Sequence, residues 1–211
     1  MISFIIPYFN HWDLCHQRLA EFYKFIYHKY DIEIILINDT STDSDCETGV
    51  KFWQGVYNSE KKILRYHRNE VNGGFGYSMN VGTKLAKGDW ICLYSNDVIM
   101  SGDFLVKLFE LNGDNHGNIL FGGEVINYPA GWNEFQASGN RSIYLPYANG
   151  WFLMFGKDDR LKFDVETFGK FDFEDMDLST QARGMGYNLV YYEAGRACFC
   201  RRQYCFGIRK G

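Results

Sequence analysis

Short apolar runs set between polar turns dominate the first hundred residues. Residues 3–7, 33–37, 63–66 and 90–94 each read as a strand, and the apolar character of 3–7 and 90–94 marks buried strands of the parallel kind. Helical stretches lie between them. Asp13 is placed to cap a helix whose buried side carries Leu14, Leu19, Phe22, Phe25 and Ile26. A more polar helix passes through Val50, Phe52 and Trp53, and a third, over 77–86, offers Met79, Val81 and Leu85 for packing. The order βαβαβαβ predicts a parallel, doubly wound sheet with right-handed crossovers.

The pattern changes in the second half. A helix is expected over 104–111, then strand-like runs at 119–126, 143–147 and 151–155 separated by Gly, Asn and Pro turns. A helix follows over 174–184 and a last strand over 189–192. The fold class is therefore α/β, a mainly parallel doubly wound sheet with a smaller mixed region. Residues 1–211 form one domain, with a nucleotide-binding half (1–100) and an acceptor-side, catalytic half (101–211).

Composition narrows the function classes. The chain has 211 residues, 46% of them hydrophobic and 18% aromatic, with a formal net charge of −4. That charge speaks against broad nucleic-acid binding, which needs a basic face. Arg201, Arg202, Arg209 and Lys210 are the one concentrated basic stretch, read as a solvated tail. No apolar run approaches the roughly 20 residues that span a bilayer, and no leader is visible, so a cytoplasmic protein with no membrane span is expected. The six cysteines lack the dense spacing of a disulfide scaffold. The end of the chain, without a closing helix or cap, suggests one domain of a longer polypeptide.

Ligands of open α/β sheets sit outside the carboxyl ends of the strands, near the point where strand order reverses. Three polar clusters fall at such ends: Pro7-Tyr8-Phe9-Asn10, Asn38-Asp39-Thr40-Ser41 and Ser95-Asn96-Asp97. Together they describe a pocket with an aromatic face, one carboxylate for a base or ribose, and another for a metal ion.

The segments SFIIPYFN, IILINDTSTD, NGGFGYSMNVGTKLAKGDWICLYSNDV and FEDMDLSTQARGMGYNLV resemble the family 2 glycosyltransferases of GT-A fold, in four ordered blocks across residues 1–195. The whole chain also resembles the N-terminal glycosyltransferase domain of a multidomain chlorella-virus protein, which implies further domains of the same polypeptide and, if viral, the host cytoplasm. The resemblance implies a UDP-sugar donor, a saccharide or glycan acceptor, and Mn²⁺ or Mg²⁺. Phe9 matches the aromatic position against the nucleobase, with backbone from Pro7 and Tyr8 and with Asn10 beside it. Asp39 matches the carboxylate that accepts from the uracil ring; an Asx turn with Thr40 and Ser41 is its alternative role, and both can coexist. Asn72, Gly73 and Gly74 match the loop that closes over the nucleotide.

Asp97 matches the last residue of the family's DxD motif, and Ser95 and Asn96 stand in the other places. A hard divalent cation with oxygen ligands there would stabilise the charge on a departing diphosphate. The departure from the pattern, one acid where the family has more, implies weaker metal affinity completed by donor phosphates, with Asn96 available to the ribose. Asp175, in the ED pair that opens the late helix, matches the base that takes the acceptor proton. Glu174 and Asp177 could orient acceptor hydroxyls or pair with Arg183. Asn149-Gly150-Trp151 matches the segment under donor sugar and acceptor, where Trp151 is either a stacking platform or a core tryptophan. The late metal-binding histidine of related enzymes is missing, because all five histidines lie at or before His116. Two other readings remain: a nucleotide-sugar-binding domain with little catalysis, and a nucleotide-cofactor oxidoreductase. The second is weak, because the GxGxxG pattern fails at Met79 and its loop follows the third predicted strand.

Overall fold

The central apolar runs become strands buried on both sides, while the third, at 62–68, is only half-buried. In a computed structural model, β1 (Ile2–Tyr8) and β2 (Ile32–Asn38) are buried at every position. The structure describes residues 1–43, 46–100, 102–112, 119–123, 143–144, 148, 150–170, 174–192 and 200–201. β1 and β2 pair in parallel from Ile2 opposite Ile32 to Tyr8 opposite Asn38. On their outer sides lie β4 (Lys62–Arg68), parallel to β2, and β5 (Trp90–Tyr94), parallel to β1. The short β3 (Asn58–Ser59) returns antiparallel on β4, too brief a feature to leave an alternation in the sequence.

The remaining strands extend this sheet. β9 (Phe152–Gly156) runs antiparallel between β5 and β7 (Ile119–Gly123), β10 (Asn188–Tyr192) lies parallel to β7, and β8 (Ile143–Tyr144) pairs antiparallel with β10. The nine strands run β3-β4-β2-β1-β5-β9-β7-β10-β8. A separate pair joins β6 (Val98–Ile99) to β11 (Cys200–Arg201). The expected α/β class is thus what forms, with the mixed strands hydrogen-bonded onto the parallel ones as one sheet.

Two apolar layers cover the sheet. On one face α1 (Trp12–Phe25), α2 (Cys46–Val56) and α4 (Leu105–Asn112) pack over Phe4, Ile6, Ile34 and Leu36; rings of Phe4 and Phe22 meet at 4.5 Å. On the other, α3 (Gly74–Leu85) and α6 (Glu174–Gly184) cover Ile5, Ile35, Ile37 and Leu153. A one-turn helix, α5 (Val165–Phe168), is capped by Asp164, whose carboxylate accepts from the Thr167 N–H.

Three local expectations change. Asp13 lies inside the first turn of α1 and does not cap it: His11 is the N-cap, without a side-chain bond, and the Trp12 N–H donates to Asp43 from the loop after β2. The third helix starts at Gly74, not Tyr77. Its buried positions are Gly74, Gly76, Ser78, Met79 and Gly82, while Leu85 is exposed. The helix approaches so closely that a Cβ at Gly82 would lie 2.2 Å from Ile5. Small residues, not large apolar ones, make that contact. Among the described residues no helix is long and apolar enough to cross a membrane.

Candidate active site

Among the four parallel strands the spatial order is β4-β2-β1-β5, so the order in which successive strands are added reverses between β1 and β5. An open cleft of about 260 Å³ lies at the carboxyl ends there. Pro7, Tyr8 and Phe9 line it from β1, Asp39 from β2, Ser95 and Asn96 from β5, and Asn72, Gly74, Phe75 and Ser78 from the start of α3. The three predicted clusters therefore converge. Phe75 and Ser78 were not singled out from the sequence; their place in the first turns of a helix aimed at the sheet switch is the signal that would have found them.

Phe9 is 50% exposed, unusual for a large ring directly after a buried strand. Its face is available for stacking, whereas Tyr8 is buried near Trp12, its hydroxyl bonded to the Cys46 thiol. Burial, with the Cys46 contact second, pushes the Tyr8 phenol far above its ordinary range, so it stays protonated. Asn10 and His11 both adopt left-handed backbone, as does the β-branched Thr40. Such conformations cost about 1–3 kcal/mol each and persist where neighbours impose them. Here the Asn10 N–H donates to Ser41 Oγ at 2.8 Å, and its Oδ1 accepts from the Thr42 N–H at 2.9 Å. Asn10 thus ties the exits of β1 and β2 together.

Asp39 organises the cleft. Its Oδ1 accepts from Asn69 Nδ2 at 2.8 Å and from the Gly73 N–H at 2.9 Å, and its Oδ2 accepts from the Gly74 N–H at 2.8 Å. A buried carboxylate on the first amides of α3 satisfies donors a helix start leaves open and complements the positive helix end. That is how a glycine-rich segment begins a helix. The Asx turn expected at Asp39 does not form; the Ser41 N–H donates instead to Asn38 Oδ1 at 2.6 Å, three residues back. One lone pair of Asp39 Oδ2 remains for a donor in the cleft. Asn72 bridges the Asp39 carbonyl and Lys170 Nζ, both at 3.2 Å. Gly74, at φ 83° and with a would-be Cβ 2.8 Å from the Lys170 carbonyl, admits no side chain.

On the other wall, Ser95, Asn96 and Asp97 form a turn closed by the Val98 N–H on the Ser95 carbonyl at 3.1 Å. Ser95 Oγ donates to Asp97 Oδ1 at 2.6 Å, and Asn96 Nδ2 lies 3.9 Å from the Cys15 sulfur. Asp175 opens α6, its Oδ2 accepting from the Gly150 N–H at 3.1 Å and its Oδ1 from the Met176 N–H at 2.8 Å. Two residues connect these walls: Gly150 binds Asp175, and the Trp151 carbonyl accepts the Ser95 N–H at 2.9 Å. Phe75 closes the corner, 3.6 Å from where a Gly150 Cβ would stand.

Other expected contributors fall differently. Trp151 is 8% exposed and belongs to the core beside Phe152, so its backbone, not its ring, serves this region. Asp177 accepts from Gln181 Nε2 at 2.6 Å and not from Arg183. Glu174 is half-buried in the first turn of α6. Asn149 lies outside the described residues.

For a metal ion, the donor set on this turn is the Asp97 carboxylate with the Ser95 hydroxyl beside it, hard oxygens of the kind Mg²⁺ and Mn²⁺ take. Among the described residues no three His, Cys, Asp or Glu side chains converge on one point. The fit is to a cation held by one protein carboxylate and completed by other oxygens.

Residues 3–172 match the model of the family described as glycosyl transferase family 2. A poly(ribitol-phosphate) beta-glucosyltransferase of Bacillus spizizenii is 29% identical over 57% of this chain and 18% of its own. Among solved structures, residues 1–349 of TarS from S. aureus, in complex with UDP, superpose with a TM-score of 0.68 at 18% identity, covering 94% of this chain and 59% of that one. The mannosyltransferase PcManGT of Pyrobaculum calidifontis, with GDP-Man and Mn²⁺, gives 0.67 at 19% identity, covering 96% and 58%. These two likenesses establish the GT-A fold. The chain spans about a fifth of that curated relative and under two thirds of both solved chains.

Proposed function

The chain belongs to glycosyl transferase family 2, and we propose that it moves a hexose or deoxyhexose from a UDP-sugar to a saccharide acceptor, with Mn²⁺ or Mg²⁺ as cofactor. One observation carries the reading: the Gly150-Trp151 step links the Asp97 turn to Asp175 beside Phe75, which lines the cleft together with Phe9 and Asp39. A donor with its base in the cleft would present its diphosphate to the first wall and its sugar between the two.

In this proposal Phe9 stacks on the base, the open lone pair of Asp39 accepts from it, and Asn96 reaches the ribose. Asp97, with the Ser95 hydroxyl, would hold the cation, which when bound supplies charge stabilisation to the leaving diphosphate. Asp175 takes the proton from the acceptor hydroxyl as that oxygen attacks the anomeric carbon; the bond to the diphosphate breaks and the configuration inverts. Gly150 keeps the approach to Asp175 open, and Glu174 and Asp177 face the acceptor side. Halves at 1–100 and 101–211, a cytoplasmic setting, and further domains of the same polypeptide belong to the same reading.

A nucleotide-sugar-binding domain with little catalysis is the second reading, favoured by the single acid on the metal-side turn. An oxidoreductase has no such support: the Gly73-Gly74 amides that a dinucleotide phosphate would need already bind Asp39.

A thermal-shift panel of UDP, GDP, dTDP and NAD, with and without Mn²⁺, tests the ligand class. At a hundredfold excess over Kd, a ligand adds about 2.7 kcal/mol, which for a chain of this size raises Tm by roughly 5–10 °C. UDP with Mn²⁺ is expected to give the largest rise and NAD none. A shift with NAD and with none of the other nucleotides would sink the proposal.

A further inference from the structure

Helix α1 carries a charge on its buried side. Arg18 is 2% exposed, on the same stripe as Leu14, Cys15, Leu19 and Phe22. Its Nη1 donates to the Val98 carbonyl at 2.5 Å, and its Nη2 donates to Glu21 Oε1 at 2.7 Å. The other Glu21 oxygen accepts the Met100 N–H at 2.9 Å. The pair therefore grips the backbone on both sides of Ile99, one and three residues beyond Asp97. Among the described residues, β6 pairs with β11 alone and has no place in the main sheet.

Taking an ion pair out of water is costly, and apolar residues of similar volume often pack as stably. What such residues cannot do is aim two directed bonds at a carbonyl and an amide. The Asp97 turn is fixed on its entry side by the Trp151 carbonyl; on its exit side this pair acts beside β11 and the Tyr94 hydroxyl, which donates to the Val98 carbonyl at 3.4 Å. We infer that Arg18 and Glu21 are positioning residues, which hold the Asp97 carboxylate in place for a metal–diphosphate ligand through the backbone of Val98 and Met100. The inference rests on the reading of Asp97 given above.

A purely structural role and a positioning role separate in nucleotide binding. Asp39 is held by Asn69 and the first amides of α3, and Phe9 follows β1 directly; none of these hydrogen bonds involves Arg18 or Glu21. General loosening of the fold weakens binding with and without metal alike, whereas a displaced Asp97 weakens the metal-dependent part. The full chain and its Arg18→Met, Arg18→Lys and Glu21→Gln variants are titrated with UDP and with GDP, in the presence and absence of Mn²⁺, and their Tm values are measured. For Arg18→Met the affinity gained on adding Mn²⁺ falls about tenfold or more, as for other residues that support a metal ligand. Its metal-free affinity stays within about twofold of the parent, since that part of the cleft has separate supports. Arg18→Lys, which keeps a donor for Val98, recovers part of the gain. Glu21→Gln keeps the bond to Arg18 but turns an amide toward the Met100 N–H, and shows a smaller loss.

A full Mn²⁺ gain in a folded Arg18→Met protein overturns the inference. If that variant does not fold, Glu21→Gln decides, and a parental gain there overturns it equally. Asp97→Ala is measured beside them. Loss of the gain in Asp97→Ala alone sinks the positioning role and leaves the metal reading standing. Retention in Asp97→Ala sinks the metal reading, and the positioning role with it.

Discussion

Asp175→Asn is expected to fold, to bind its nucleotide donor as the parent does, and to transfer sugar about 10²- to 10⁴-fold more slowly, the usual contribution of a positioned base. The substitution keeps size and shape. An amide oxygen can still accept from the Gly150 N–H, so the main structural cost is the bond between Asp175 Oδ1 and the Met176 N–H. Losing one such bond costs about 1 kcal/mol, or roughly 2–4 °C in Tm for a chain of this length. The Phe9–Asp39 cleft is built from other elements, so donor affinity should be unchanged. Transfer assays under saturating donor, with Kd measured in parallel, check this. Parental transfer by the variant would remove Asp175 from the base role. Absence of transfer by the parent itself, with donor binding intact, would favour the binding-domain reading.

The second large effect is expected at Asp97. Asp97→Ala should lose the metal-dependent part of donor binding outright, while the metal-free part, through Phe9 and Asp39, persists. The reason is the composition of the turn: Ser95 and Asn96 carry no charge, so no neighbouring acid can replace the carboxylate. Where two acids share a cation, removing one leaves a weakened site; here one substitution removes the whole protein charge. The fold should tolerate it, because the turn keeps its backbone anchors at Trp151, Arg18 and Glu21. Titration of the nucleotide with and without Mn²⁺ reads the outcome directly. Retained Mn²⁺ dependence would move the metal site elsewhere.

Much of the frame was legible in the sequence because the physics there is local. The runs that became β1, β2 and β5 are apolar enough to read as buried strands, and the alternation of strand and helix pointed to a parallel sheet with its cleft at the strand ends. What stayed hidden depends on partners distant in sequence. Gly73 and Gly74 read as loop because glycine is a poor helix former, yet Asp39, thirty-odd residues earlier, caps them into α3. Asp13 resembles a cap, and the role passes to Asp43 across the sheet end. Trp151 at the start of an apolar run fits a platform or a core equally well, and only packing decides for the core. Arg18 is the most instructive omission: a cation at i+4 from Leu14 sits on the buried face of α1, a position that costs free energy unless something polar waits beneath it. Its partner Val98 lies 80 residues away, as Met100, the partner of Glu21, lies 79 from that residue.

The central claim is that this chain turns over a nucleotide sugar with the help of a divalent cation, and release of nucleoside diphosphate tests it most directly. A panel of UDP- and GDP-sugars is incubated with the purified chain, with and without Mn²⁺, and with and without an oligosaccharide acceptor. The account predicts Mn²⁺-dependent release of UDP from a UDP-hexose or UDP-deoxyhexose, slow with water alone and faster with acceptor. Folded protein that binds UDP yet releases nucleoside diphosphate from no sugar nucleotide, with or without metal and acceptor, would contradict it.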